Sequence, residues 1–271
     1  MEIRERAQKA LENIKKFNPL IHNITNYVAA NFQANVLLAI GASPVMAHSE
    51  DEVEDMVAIS DALVLNIGTP TKSIVNSMII AGKRAKELKK PVILDPVGAG
   101  ATKFRNNAIE KILSEVQVDI IRGNASEIGA ICGIEGNTKG VDSTINPEEV
   151  LKSAIDFSNK TGTVVVISGA TDYIVSGEEV IKCYNGIPLL GKITGSGCAV
   201  TSIIGAFSAV EENKAFASLF GLGLFGVAGE IAFANAKGPG SFYSLLIDSL
   251  YNITPDVFMK KLKFDIKGSQ S

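Results

Sequence analysis

Apolar residues follow one another along this chain in two rhythms. Between residues 19 and 170, short apolar runs of strand length alternate with longer stretches whose apolar positions recur at helical spacing. The short runs are Pro19–Thr25, Ser43–Ala47, Ala62–Gly68, Pro91–Val97, Asp119–Asn124 and Thr163–Gly169. Several are continuous and rich in Val, Ile and Leu, as strands covered on both faces are. Between them the spacing predicts helices, such as Ser73–Lys89 and Asn106–Val116, and an amphipathic helix opens the chain over Met1–Phe17. Strand and helix in alternation predict an α/β fold: a three-layer αβα sandwich with a mostly parallel central sheet. After residue 170 the rhythm changes. Asp172–Ser176 and Glu179–Tyr184 flank Gly177 and Glu178, which predicts a hairpin at the sheet edge. From Gly195 to about Lys261 the pattern is helical, and the polar tail Lys267–Ser271 is expected to fray. No linker, repeat or low-complexity block interrupts it, so residues 1–271 read as one domain.

Two uncharged stretches, Ile193–Val210 and Ala215–Gly229, raise the question of a membrane span. The first opens with Thr-Gly-Ser-Gly and the second is Gly-rich and stops at Glu230, so both read as buried helices of a soluble domain. Composition agrees: 46% of the 271 residues are hydrophobic and 20% charged, which is ample for a large core. Twenty-six basic against twenty-nine acidic side chains give a net charge of −3, and there is no Trp. Bulk electrostatics and stacking platforms therefore give no support to nucleic-acid binding. The Met1–Phe17 stretch lacks the apolar core of a signal peptide. Cys132, Cys183 and Cys198 form no CxxC pair and read as reduced thiols of a cytoplasmic protein.

Ligands of open α/β sheets bind at the carboxyl ends of the strands. Asp95 ends one run and is followed by Pro96, Val97, Gly98, Ala99 and Gly100; another run ends in Arg122, Gly123 and Asn124, with Glu127 three residues on; a third ends at Ser168. Asp95 and Glu127 offer the carboxylate oxygens that Mg²⁺ prefers, and helix-capping acids are the alternative. Thr194-Gly195-Ser196-Gly197-Cys198 opens an apolar helix. Glycines there let backbone N–H groups face an anion, and the helix dipole favours negative charge at the same place. Cys198 falls in the first turn, where a thiol pKa tends to drop; a Gly-rich cap with an inert core Cys is the alternative. Two look-alikes fail on context. Gly221, Gly223 and Gly226 match GxGxxG inside a helical stretch, so close helix packing is their expected role. Gly68 to Ser73 ends in Lys-Ser, but Thr71 stands where a P-loop has Gly.

Six segments together resemble the hydroxyethylthiazole kinase family of the ribokinase-like superfamily, over roughly residues 10–260 by eye. They are residues 19–28 (PLIHNITNYV), 41–48 (GASPVMAH), 65–69 (LNIGT), 94–102 (LDPVGAGAT), 121–127 (IRGNASE) and 194–198 (TGSGC). The resemblance implies transfer of phosphate from ATP to the primary hydroxyl of 4-methyl-5-(2-hydroxyethyl)thiazole, serving thiamine biosynthesis and salvage. It implies a cytoplasmic homotrimer with substrate sites between subunits. Carried over by motif, Met46, Gly195 and Asn26 contact the thiazole, and Arg122 and Ser168 contact the nucleotide. Asp95 and Glu127 organise Mg²⁺, directly or through waters. Cys198 takes the place where the superfamily usually has an Asp base, and Ser168 stands where the family often has Thr. Two other readings remain open on these residues. One is a relative of the same fold acting on hydroxymethylpyrimidine, pyridoxal or a nucleotide hydrate; the other is a catalytically silent nucleotide binder.

Overall fold

Alternation of side chains across each strand sorts the apolar residues of this chain into two cores, one on each face of a sheet. The computed structural model describes residues 2–134 and 147–267. Its first half runs α1 (Ile3–Phe17), β1 (Leu20–Ile24), α2 (Ala30–Ile40), β2 (Ser43–Val45), α3 (Val53–Ile59), β3 (Ala62–Asn66), α4 (Lys72–Glu87) and β4 (Val92–Asp95). Next come α5 (Lys103–Glu115), β5 (Ile120–Asn124), α6 (Ala125–Ile131), α7 (Pro147–Thr161), β6 (Val164–Ser168), β7 (Asp172–Ser176) and β8 (Glu179–Cys183). A 3₁₀ turn over Pro188–Lys192 leads into α8 (Ser196–Val210), α9 (Lys214–Phe233), α10 (Pro239–Asn252), α11 (Pro255–Lys261) and β9 (Phe264–Lys267).

The strands form one sheet in the order β2-β1-β3-β4-β5-β6-β7-β8-β9. The first six in that order are parallel, and β7, β8 and β9 are antiparallel to their neighbours. Ile21, Val64, Ile93, Ile120 and Val166 face the core built with α1, α2, α8 and α9. Leu63, Leu65, Leu94, Ile121 and Val165 face the opposite core, with α3 to α7. Both faces being covered explains the continuous apolar runs. The expected strands and the helices of the first half stand where the pattern places them, every end within three residues of the observed one.

Two details differ at the far margin. The hairpin β7–β8 forms as expected, but it lies one strand in from the edge, because β9 pairs with β8 from Cys183↔Phe264 to Val180↔Lys267. The four residues of β9 follow a helix and alternate apolar with charged; so short a pattern is recruited by the open edge of β8 rather than announced by its own sequence. Lys267, the expected start of the frayed tail, is instead the last residue of β9, and the rest of that tail lies outside the described residues.

The long apolar helices are internal. By length and composition α9 could span a bilayer, yet most of it is buried within the protein. The GxGxxG glycines serve packing. A Cβ at Gly221 would stand 2.6 Å from Ile204 of α8, one at Gly226 would stand 2.6 Å from the Asn185 backbone, and one at Gly223 would collide with Leu262.

Candidate functional site

Polar residues end four adjacent parallel strands on one edge of the sheet. Asn66 ends β3 and lies opposite Asp95 at the end of β4; Asn124 ends β5 and lies opposite Ser168 at the end of β6. Asn66, Asp95 and Ser168 each terminate a run of buried Val, Leu and Ile, and Asn124 follows Ile120 and Ile121 by way of Arg122 and Gly123, so the sheet itself holds these groups in line. Chain order reverses between β1 and β3, where β2 has gone to the other side, and such switch points open a crevice at the strand ends. The N-terminus of α8 covers this edge, with Gly195 as its cap at φ +82°. That left-handed backbone suits Gly, and a Cβ there would press on Ala29 at 3.2 Å.

A chain of buried hydrogen bonds crosses the crevice. Asn26 Nδ2 donates to Asn66 Oδ1 at 2.7 Å, and Asn66 Nδ2 donates to Asp95 Oδ2 at 2.9 Å. The Thr201 hydroxyl of α8 donates to the same Oδ2 at 2.9 Å. Asn26 Oδ1 in turn accepts the N–H groups of Val28 and Ala29, which fixes the turn after β1. Asp95 is 1% exposed. Burial raises its carboxyl to about 6, Arg122 opposes the rise and Glu127 adds to it.

Glu127 lies beside this group. Its Oε1 accepts the Gly98 N–H at 2.8 Å and its Oε2 accepts the Asn124 N–H at 2.9 Å, while Asn124 caps α6 in return. The capping alternative for Glu127 is thus real: its carboxylate ties the glycine turn after β4 to the start of α6. Among the described residues each of the two oxygens accepts one hydrogen bond. At Asp95 both hydrogen bonds fall on Oδ2, and Oδ1 has no hydrogen-bond partner among the described residues.

Cys198 departs from expectation in its acidity. Its Sγ accepts from Asn26 Nδ2 at 3.5 Å, in the first turn of α8, but its pKa is pushed up to about 12. Burial is the main cause and the nearby Asp95 carboxylate the second; together they outweigh the Asn66 and Asn26 amides and the Arg122 charge, which pull it down. At neutral pH the thiol keeps its proton.

On the other side of α8's N-terminus a cavity of about 540 Å³ opens. Arg122, Ser168, Gly169, Asp172, Ser196 and Gly197 line it toward the strand ends. The Arg122 Nε is buried without a hydrogen-bond partner among the described residues, and its Nη1 lies so close to Gly197 that a Cβ there would stand 2.7 Å away. A half-buried guanidinium whose Nε has no hydrogen-bond partner among the described residues, beside glycine amides at a helix N-terminus, suits a phosphate.

Of the residues named from sequence, Asn26, Asp95, Cys198 and Glu127 come together through shared contacts, and Arg122 and Ser168 share the adjoining cavity. Gly195 caps the helix between the two groups. Met46, one residue beyond the edge strand β2, is half-buried and does not line the cavity. Asn66, Thr201 and Asp172 are not among the residues the sequence singles out. Asn66 carries the signal that marks Asp95, a polar residue closing an apolar strand. Thr201 lies one helical turn beyond Gly197, and nothing in the pattern marks it. Burial raises the Asp172 carboxyl to about 6, and its Oδ1 accepts the Gly169 N–H at 3.0 Å. Among the described residues no group of three or more His, Cys, Asp or Glu side chains is placed to hold a metal by itself.

A model of the hydroxyethylthiazole kinase family matches residues 11–256. The hydroxyethylthiazole kinase of Desulfotalea psychrophila is 47% identical over 254 residues, covering 94% of this chain and 93% of that protein. The solved hydroxyethylthiazole kinase of Pyrococcus horikoshii OT3 superposes with a TM-score of 0.88 at 44% identity, over 97% of this chain and all of that one. The pyridoxal kinase of Staphylococcus aureus superposes at 0.65 with 14% identity over 92% of this chain and 98% of its own, a likeness of fold alone. The sheet-edge site and the full-length match agree: this chain belongs to the hydroxyethylthiazole kinase family.

Proposed function

We propose that the chain, as one domain over residues 1–271, transfers the γ-phosphoryl group of ATP to the primary hydroxyl of 4-methyl-5-(2-hydroxyethyl)thiazole. The observation that carries this reading is the Arg122 guanidinium: its Nη1 lies against Gly197 at the N-terminus of α8, and its Nε is buried with no hydrogen-bond partner among the described residues. The nucleotide occupies the 540 Å³ cavity, with its phosphates toward Arg122, Ser168 and the amides of residues 195–197. The alcohol lies across α8's first turn, toward Asn26, Gly195 and Cys198. Its reacting hydroxyl then meets the terminal phosphate beside Asp95.

The carboxylates fit Mg²⁺. Among the described residues Asp95 Oδ1 accepts no hydrogen bond and each Glu127 oxygen accepts one, and Mg²⁺ commonly takes one or two carboxylates, waters and substrate phosphates. When bound, the ion supplies charge neutralisation at the transferring group. Everything else falls to the chain. Asn66 and Thr201 hold the Asp95 carboxylate through two hydrogen bonds to Oδ2. Glu127 holds the Gly98 turn against Asn124. Arg122 and the glycine amides stabilise negative charge as it moves from the bond being broken to the leaving diphosphate. Cys198, protonated at neutral pH, positions the alcohol rather than removing its proton. A loose phosphoryl-transfer transition state asks little of a base.

Tyr27 and Val28 follow Asn26 in the turn after β1 and are 75% and 63% exposed, and β1 is the sheet neighbour of the short edge strand β2 that Met46 follows. Apolar side chains exposed next to a substrate pocket support a homotrimer with sites between subunits, in which Met46 is completed by a neighbouring copy. The three free cysteines support a cytoplasmic setting, and the family match supports a role in thiamine biosynthesis or salvage. The test is ADP release with ATP, Mg²⁺ and the thiazole alcohol, beside hydroxymethylpyrimidine and pyridoxal. Thiazole-dependent release abolished by EDTA is expected. Release with pyridoxal or hydroxymethylpyrimidine alone would overturn the substrate, and no release with any alcohol would overturn the activity.

A further inference from the structure

The cavity assigned to the nucleotide has two chemically different ends. Toward the strand tips it is polar. Away from them it lies between α9, through Leu222 and Phe225, and the segment before α8, through Ile187 and Leu190. These walls are pressed together by α9's glycines: a Cβ at Gly229 would stand 3.2 Å from Leu190. One side-chain amide, Asn185, lies at this end, and its bonds are committed. Its Nδ2 donates to Glu230 Oε1 at 3.1 Å and to the Lys261 carbonyl at 3.0 Å, and its Oδ1 accepts the Lys263 N–H at 2.7 Å. Glu230 is held in turn by the Gly186 N–H and the Lys263 ammonium. Turning Asn185 toward a ligand would break all three of its hydrogen bonds. Among the described residues, then, the side chains at this end grip the faces of a flat ring and offer its polar edge nothing.

Resting on the reading of this cavity as the nucleotide site, we propose that the site is nearly blind to the nucleobase. It selects a phosphoryl donor by its phosphates and by the shape of a planar heterocycle, so ITP and GTP serve beside ATP. The magnitudes separate this from a site that reads the base. Apolar pockets discriminate a single group by roughly 10–200-fold, whereas a site built to hydrogen-bond an edge rejects the wrong one by about 10⁴–10⁵.

The experiment compares kcat/KM for ATP, ITP and GTP at saturating thiazole alcohol. ITP replaces the donor amino group of adenine with an acceptor oxygen, inverting that edge. The three values are expected to agree within about 100-fold, the apolar-pocket range. A fall of about 10³ or more from ATP to ITP would overturn the inference, with the backbone of residues 185–191 reading the edge. This comparison uses the unaltered protein. Phe225→Leu, with Leu222→Val as the milder second variant, then tests the location. A KM raised by a similar factor for all three donors is expected. A KM raised for ATP alone overturns base blindness while leaving the site in place. Unchanged KM values for every donor in both variants would remove the nucleotide from this cavity, and the inference with it.

Discussion

Asp95→Asn separates stability from catalysis at the centre of the site. In the metal-free protein the Asp95 carboxyl sits at about 6 instead of 3.8, chiefly because it is buried. Below pH 3.8 it is protonated in both folded and unfolded chains and costs nothing. Between 3.8 and 6 the folded protein holds a proton that the unfolded chain has released, so stability falls as pH rises. Above 6 the full cost of the buried charge is present, about 3 kcal/mol for the upward shift. Asparagine removes that charge, and its amide oxygen can still accept from Asn66 and Thr201. Any cost of placing its NH₂ where Oδ1 lay does not depend on pH and cancels between two pH values. About half of the cost is already present at pH 5, so the stability of the variant relative to wild type is expected to grow by ~1.5 kcal/mol from pH 5 to pH 8. For a chain of this length that is a melting-temperature difference of roughly 2–3 °C. Thermal melts of both proteins at the two pH values, with chelator and without nucleotide, read it directly, and turnover is expected to vanish in the variant. A stability difference that stays flat with pH would refute the account of Asp95 as a charge held at a cost for function.

Three further outcomes are expected. Arg122→Ala removes a charged donor from the phosphates, a loss of about 1.5–3 kcal/mol, so the KM for ATP rises roughly 10- to 100-fold; unchanged nucleotide kinetics would place Arg122 outside the site. Cys198→Ala lowers turnover without abolishing it, because a thiol at about 12 is no base at neutral pH; inactivity as complete as that of Asp95→Asn would restore Cys198 as an essential proton acceptor. Gly221→Ala favours helix by about 1 kcal/mol in an open site. Here the added methyl would stand 2.9 Å from the Ile204 Cα and 3.0 Å from its backbone nitrogen. Overpacking of about 1–3 kcal/mol therefore wins, and denaturant titration should show a net loss; a gain would mean that α8 and α9 separate freely.

Much of this protein is legible in its sequence. Buried parallel strands must be apolar along their whole length, so β3 and β4 stand out as runs of Val, Ile and Leu, and the polar residue closing each run marks the working edge. Asp95, Arg122 and Ser168 are found in this way. The glycine cluster before α8 is legible because few other local sequences turn a chain into a helix with its amides bare. Glu127 shows where local reading stops: capping acid and metal carboxylate have the same sequence signature, and its bonds to Gly98 and Asn124 join turns 29 and three residues away.

Periodicity and composition by themselves determined the layers, the parallel order of covered strands and the edge where chemistry would gather, because these follow from which side chains must leave water. Motif resemblance added the family. Tertiary structure alone decided which groups meet. Thr201 reaches Asp95 across 106 positions and Asn66 reaches Asn26 across 40, distances at which no local pattern constrains a hydrogen bond. The acidity of Cys198 was decided there too, since the helix terminus that lowers a thiol is a local feature, while the burial and the carboxylate that raise this one come from other strands. The place of β9 was set by the unpaired edge of β8, a partner some eighty residues earlier in the chain.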